Sequence, residues 1–231
     1  MKIGSSDWSK IIVKGCKQFG IQVDQSQLEQ FALHAVELVN WNQKINLTAI
    51  TDPFEIAVKH ILDSLVPAGL IPPGAALLDI GSGGGFPGIP LKIFMPSLSV
   101  TLIDASRKKI NFLKHVIRTL KLEKIEARHI RAEDLARDPT HVNAHDVIVS
   151  RAFSALSQFV NLSEPLLNKA GIIIALKAEI DQSELDNLKC RQSDELVIAE
   201  IDEDCYSLDV KKYILPFIEA NRTIITLSHI A

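Results

Sequence analysis

Only three cysteines occur in 231 residues, Cys16, Cys190 and Cys205, and none belongs to a Cys-x-x-Cys pair. That excludes a disulfide or zinc framework, and the scattered thiols fit a reducing cytosol, where we expect the protein to work. No apolar run approaches the length of a membrane span, so no membrane is expected among its partners. Residues 1–9 lack the basic-then-apolar order of a signal peptide. There is no internal repeat, no low-complexity tract, and no Ser/His/Asp or Cys/His constellation. His141 and His145 are spaced i,i+4, but in an expected loop with no third ligand near them, so no metal site is expected.

The composition present is that of a soluble globular chain, 47% hydrophobic and 23% charged. The length allows one α/β domain with a small additional element. A net charge of −3 speaks against a nucleic-acid partner, but its distribution does not. Residues 107–131 carry nine basic side chains (Arg107, Lys108, Lys109, Lys114, Arg118, Lys121, Lys124, Arg128, Arg131) against Glu123 and Glu126. Residues 178–209 hold eleven acidic residues against Lys189 and Arg191. A polyanion responds to the field within a Debye length of about 8–10 Å, so one face can attract RNA on an acidic protein. The plain alternative is a solvated, Lys-rich amphipathic helix.

Three helical segments come first. Trp8, Ile11, Ile12, Gly15 and Phe19 share a face behind Ser5 and Ser6. Ser26-Gln27-Leu28-Glu29 reads as a capping box, and Asp52-Pro53 opens a third helix with Phe54, Ala57, Val58, Ile61, Leu62 and Leu65 inward. We take residues 1–66 as an N-terminal helical cap. From residue 67 to 231 short apolar runs alternate with helices. Strands are expected at Ala76–Ile80, Val100–Asp104, Ile125–His129, Asp146–Ser150, Ile172–Leu176, Leu196–Ile201 and Thr223–Leu227, with a helix over Ser106–Leu120. Strands that are apolar throughout and separated by helices imply a mostly parallel sheet of seven strands, covered on both faces.

The strongest local signal is Asp79-Ile80-Gly81-Ser82-Gly83-Gly84-Gly85-Phe86-Pro87-Gly88. Gly81, Gly83 and Gly85 let a ligand approach the backbone closely and let the turn visit positive φ. The following helix start offers unpaired N–H groups. A dinucleotide fingerprint needs its third glycine where Phe86 stands. The Gly-x-Gly-x-Gly spacing with Asp79 favours S-adenosylmethionine instead. Asp104 ends the second strand, where a carboxylate can accept from ribose hydroxyls of either cofactor. If the first and fourth strands flank the point where strand order reverses, Ser150-Arg151-Ala152-Phe153 emerges beside Gly81, and Arg131-Ala132-Glu133-Asp134 lies on the same rim. Arg151 is then functional, or else a structural partner of Asp79 or Glu133.

These residues resemble the RsmG (GidB) family of 16S ribosomal RNA guanine-N7 methyltransferases. The similarity runs from Trp41-Asn42 and Asn46-Leu47-Thr48 through His60-Ile61-Leu62-Asp63-Ser64 and the extension Phe86-Pro87-Gly88-Ile89-Pro90. It continues over Asp104, Lys109 and Ser150–Phe153 to Ala175-Leu176-Lys177. It departs at Ala178, where the family usually has glycine, and at Thr226–His229, where a basic residue often ends the last strand. The resemblance implies a Rossmann-like, seven-stranded sheet with antiparallel last strands, and S-adenosylmethionine contacts at Gly81, Phe86, Ala132, Glu133 and Arg151, with the ribose on Asp104. It further implies that His60 and Asp63 roof the active site, that Lys109 and Lys177 face the RNA, and that the partner is 16S rRNA or a small-subunit particle. We expect the chain to act as a monomer.

Guanine N7 has a free lone pair and no proton, so methylation there needs positioning but no general base. The missing nucleophilic constellation agrees with this. Phe86 and Phe153 are candidate stacking faces, or ordinary core aromatics. Other readings are a methyltransferase of protein or small molecules, a nicotinamide-dependent oxidoreductase, and a non-catalytic ribosome-binding factor.

Overall fold

The structure, a computed structural model, describes residues 1–151, 153, 155–180, 184, 191–193, 196–201 and 204–230. Ala152 and Cys190 lie outside the described residues.

Helix α1 (Ser6–Gln18) starts on Ser5, whose side chain accepts from the Trp8 amide. Helix α2 (Gln25–Asn42) starts two residues earlier than the capping box read at Ser26. Asp24 is its cap, accepting from the Gln27 amide at 2.8 Å while the Gln27 side chain accepts from the Asp24 amide at 2.9 Å. Asp52 caps α3 (Pro53–Glu55) with Pro53 in the first turn. Where one α-helix is expected from the apolar stripe, three windings follow: a π-helical stretch Ile56–Leu62, then α4 (Asp63–Leu65), then a tight 3-10 turn Val66–Leu70. π-Helical turns inside helices concentrate at functional sites, and this one carries His60.

Strands β1 (Ala76–Ile80), β2 (Ser99–Asp104), β3 (Ile125–His129), β4 (His145–Ser150) and β5 (Leu167–Lys177) are mutually parallel. Between them run α5 (Gly88–Phe94), α6 (Arg107–Thr119), α7 (Ala132–Leu135) and α8 (Leu156–Ser163). Strands β6 (Arg191–Ser193), β7 (Leu196–Ile201), β8 (Asp204–Leu215) and β9 (Ala220–His229) continue the sheet antiparallel. Among the described residues the order is β3-β2-β1-β4-β5-β9-β8-β7-β6, nine strands where seven are expected. The run from β3 to β8 is the seven-stranded sheet with antiparallel last strands that the resemblance implies, and β7 and β6 extend its edge.

Two strands are absent from the expected set, the short edge strand β6 and the long β8. Tyr206 and Leu208 are buried and alternate with the less buried Ser207 and Asp209, the pattern of a sheet with one covered face, and Lys211-Lys212 interrupts the apolar signal. In the centre of the sheet, alternate residues enter opposite cores. Leu77, Leu102, Val147 and Val149 pack with Trp8, Phe31, Leu38 and Leu62 of the N-terminal helices on one face. Leu78, Ile80, Ile103 and Ile148 pack with Phe159 and Val160 of α8 on the other. Residues of the 1–66 segment thus share one core with the sheet.

Candidate active site

Strand order reverses between β1 and β4, with β2 and β3 on one side and β5 on the other. This is where open α/β sheets place ligands, outside the carboxyl ends of the strands. The Ser150 hydroxyl donates to the Ile80 carbonyl at 2.7 Å and fastens the end of β4 beside the glycine turn. The amides of Gly81 and Ser82 donate to the Ile103 carbonyl of β2 at 2.9 and 3.0 Å. Gly81, Gly83 and Gly85 have φ of 75°, 54° and 87°, in the left-handed region that Cβ atoms disfavour.

The glycines differ in what a side chain would meet. At Gly83 a Cβ would find nothing closer than the Gly81 carbonyl oxygen at 3.8 Å, so this position faces open space. At Gly85 it would strike Ile89 Cδ1 at 2.5 Å, and at Gly88 it would collide with Leu102 and come within 2.7 Å of Asp79 Oδ2. Gly85 therefore serves the packing of the turn on α5, and Gly83 faces open space with its amide bonded to Asp104.

Two carboxylates brace the turn. Asp104 accepts from the Gly83 amide at 3.1 Å and from the Ser106 amide at 2.8 Å, and Lys109 Nζ lies 3.7 Å from it. Asp79 is completely buried and accepts from the Gly88 amide at 2.9 Å, while its Oδ1 has no hydrogen-bond partner among the described residues. Burial drives its carboxyl up to about 7, against the Gly88 bond and the Arg151 charge.

A hollow of about 220 Å³ opens beside these groups, lined by Gly81, Asp104, Arg131, Ala132, Glu133 and Phe153, among others. A second pocket of about 500 Å³ lies across Phe153, where His60, Asp63, Arg151, Phe153, Lys177 and Arg222 are among its walls. Phe153 lines both and stacks on Phe159 with ring centres 5.1 Å apart.

The second pocket is held by Arg151. Its guanidinium donates to the Lys59 carbonyl of the π-helical stretch at 2.9 Å and to His60 Nδ1 at 3.1 Å. Because Arg can only donate, His60 Nδ1 is the acceptor and the ring proton sits on Nε2, 2.9 Å from Thr48 Oγ1. Burial, then the Arg151 charge, pushes His60 down to about 3, so it is neutral. Asp63 is buried between Tyr213, Arg222 and Arg151, and burial raises its carboxyl despite those partners. Lys177 forms an ion pair with Glu184 on the same wall.

The structure brings Gly81, Asp104, Ala132 and Glu133 to one hollow, with the Gly83 amide and Lys109 beside Asp104. It brings His60, Asp63, Arg151 and Lys177 to the adjoining pocket. Phe86 lines neither. Its ring is buried between His34 at 4.8 Å and His60 at 4.4 Å, with the Arg151 guanidinium 5.2 Å from its centre. Of the two candidate stacking faces, Phe86 is a core aromatic and Phe153 is the one turned to the pockets. The sequence reading missed His34, Tyr213 and Arg222, which reach the site only through tertiary contacts. His141 and His145 bond each other at 3.3 Å, and Arg128 donates to His141, so a cation already faces that pair.

The residues around the hollow fit S-adenosylmethionine. They leave a side-chain-free surface at Gly81 and Gly83, place the Asp104 carboxylate on the rim, and expose no third-glycine geometry of a dinucleotide site. Among solved structures, precorrin-6y C5,15-methyltransferase from Geobacter metallireducens shares the fold at a TM-score of 0.55, with 13% identity over 72% of this chain and 87% of that one. A SAM-dependent methyltransferase from Aquifex aeolicus does so at 0.53, with 14% identity over 78% and 94%. Fold and site together define a Rossmann-like methyltransferase whose cofactor is S-adenosylmethionine. The family model described as "rRNA small subunit methyltransferase G" matches residues 27–208. "Ribosomal RNA small subunit methyltransferase G" of Desulfitobacterium hafniense is 44% identical over 73% of this chain and 70% of that protein. The protein of the same name from Oceanobacillus iheyensis is 38% identical over 94% and 88%. The chain belongs to the rRNA small subunit methyltransferase G family.

Proposed function

We propose that this protein methylates N7 of a guanine in the 16S rRNA of the small ribosomal subunit, acting as a monomer in the cytoplasm. The observation that carries the reading is the meeting of two pockets at Phe153, one bordered by the glycine turn and one walled by Arg151, Lys177 and Arg222. The first is the place for cofactor and the second for the target base. The helical segment 1–66 forms the roof, through His60 and Asp63.

S-adenosylmethionine, when bound, supplies an electrophilic methyl group. The protein's part is to orient the base and to keep water and competing bases away. The two buried titratable groups of the roof, His60 and Asp63, are not disposed to take a proton. His60 is neutral with Nδ1 occupied by Arg151, and Asp63 is engaged by Tyr213. That suits an acceptor atom with a lone pair and no proton. Arg151 is already committed to Lys59 and His60, so it shapes the wall without blocking N7, where a donor would occupy the attacking lone pair. Phe153 offers a ring on which the base can stack. The exposed Arg107, Lys108, Lys114, Arg118, Lys121, Lys124 and Arg131 supply a basic flank for phosphates, close in sequence to Asp104 and Ala132. A target N7 lies in the deep major groove of A-form RNA, so the guanine is one in a loop or flipped outward.

The test is transfer of labelled methyl from S-adenosylmethionine to small ribosomal subunits, followed by mass-spectrometric location of the label. One labelled guanine carrying its methyl on N7 is expected. Label on another base, on another atom, or only on protein would overturn the assignment.

No helix among the described residues is long and apolar enough to cross a membrane.

A further inference from the structure

We infer that His34, on α2, is a positioning residue for the cofactor: it holds the glycine turn from the helical layer through the Gly84 carbonyl. The inference rests on reading that turn as the S-adenosylmethionine site.

His34 is fully buried, and its Nε2 lies 2.9 Å from the Gly84 oxygen. A carbonyl only accepts, so the proton of the neutral ring is on Nε2 and points at the turn. Nδ1 is then a bare acceptor, buried and without a partner among the described residues. A leucine at this place would fill the core without burying an unpaired nitrogen, which is costly. Packing alone therefore does not account for an imidazole here, whereas a donor aimed at the turn does.

The turn is a segment that benefits from such a hold. Gly84 sits between Gly83 and Gly85, both at positive φ, and three consecutive glycines lose much conformational freedom on ordering. A contact that orders them before the ligand arrives removes that cost from binding. Helix α2 is close enough to supply it in two places. A Cβ on Gly84 would stand 2.9 Å from Leu38 Cδ1, one helical turn beyond His34 on the same face. The His34 ring also stacks on Phe86, which in turn stacks on His60 and underlies Arg151. The hold on the cofactor turn is thus continuous with the wall of the second pocket.

Wild type, His34→Leu and His34→Gln separate a donor role from mere packing, because the Gln side chain reaches about as far as Nε2 and also ends in an N–H. Two quantities are measured: S-adenosylhomocysteine affinity by calorimetry, and hydrogen exchange of residues 81–86 in the cofactor-free protein. His34→Leu is expected to bind roughly three- to tenfold more weakly, the worth of one hydrogen bond, with faster exchange in the turn. His34→Gln recovers most of both. Wild-type affinity and exchange in the Leu variant overturn the inference, as does a Gln variant that loses as much as Leu. If the Leu chain does not fold, the Gln variant decides alone: near-wild-type affinity and exchange sustain the role, and a clear loss in both refutes it. A wild-type protein that fails to bind S-adenosylhomocysteine would sink the cofactor reading itself, while the exchange comparison still tests the hold of His34 on the turn.

Discussion

Tyr213 donates its hydroxyl proton to Asp63 Oδ1 at 2.7 Å, across 150 positions of chain, and so ties β8 to the helical layer over the second pocket. Asp63 also lies 3.8 Å from Arg151 and 3.7 Å from Arg222. One buried carboxylate gathers three elements into a wall. A buried carboxylate deprived of a donor keeps its desolvation cost, so Tyr213→Phe should destabilise the fold by about 1–2 kcal/mol in denaturant unfolding. An unchanged unfolding midpoint would show that the bond contributes nothing net.

Gly83 and Gly88 predict opposite behaviour on the same substitution. Gly83→Ala puts a methyl into open space at positive φ, which costs about 1 kcal/mol of stability and crowds the surface beside Asp104. Weakened S-adenosylhomocysteine binding in a folded protein is expected. Gly88→Ala drives the methyl into Leu102 and Asp79, and loss of stability comes first. Thermal melts beside calorimetric titrations of both variants would show the contrast. A Gly83→Ala chain that binds like wild type would contradict the placing of the hollow.

Arg151 makes two directed donations from one planar group, which a lysine ammonium cannot reproduce. Arg151→Lys should therefore retain the fold yet lower turnover by roughly tenfold or more, since a lost positioning contact of 1.4 kcal/mol is a factor of ten. Single-turnover transfer to small ribosomal subunits checks this. Wild-type rates in the Lys variant would reduce Arg151 to a charge.

Asp79 gives a pH signature with a definite sign. Burial holds its folded carboxyl at about 7, well above the ordinary carboxylate value of 3.8. Between those values the folded state holds a proton that the unfolded state has released, so this group makes stability fall as pH rises from about 4 to about 7. Asp79→Asn removes the titration. The stability of that variant relative to wild type should climb over that interval, measured by urea unfolding at several pH values. A difference independent of pH would contradict the buried, partly unpaired carboxyl.

The parts of this fold legible in the sequence are those set by local chain physics. Gly81, Gly83 and Gly85 are required by backbone sterics, and the acid at Asp104 follows from where β2 ends, so the turn and its neighbouring carboxylate could be read from the sequence. The capping box of α2 is displaced by two residues because Asp24 and Ser26 are both good caps, and the reciprocal bond with Gln27 selects Asp24. Strand β8 escapes because its alternation of Tyr206, Ser207, Leu208 and Asp209 is that of a one-sided strand, unlike the wholly apolar central strands. His34 escapes for a different reason. A histidine on an apolar helix face reads as core, and only the tertiary approach of Gly84 reveals a partner. Phe86 is legible only in part, since its place in the motif suggests the ligand while its ring packs between two imidazoles.

The most direct measurement of the central claim is a crystal structure of the protein with S-adenosylhomocysteine. The account predicts the nucleoside against Gly81 and Gly83, with its ribose at Asp104 and its base toward Ala132 and Glu133. Density for the molecule elsewhere on the protein, or a side chain filling that hollow, would contradict it.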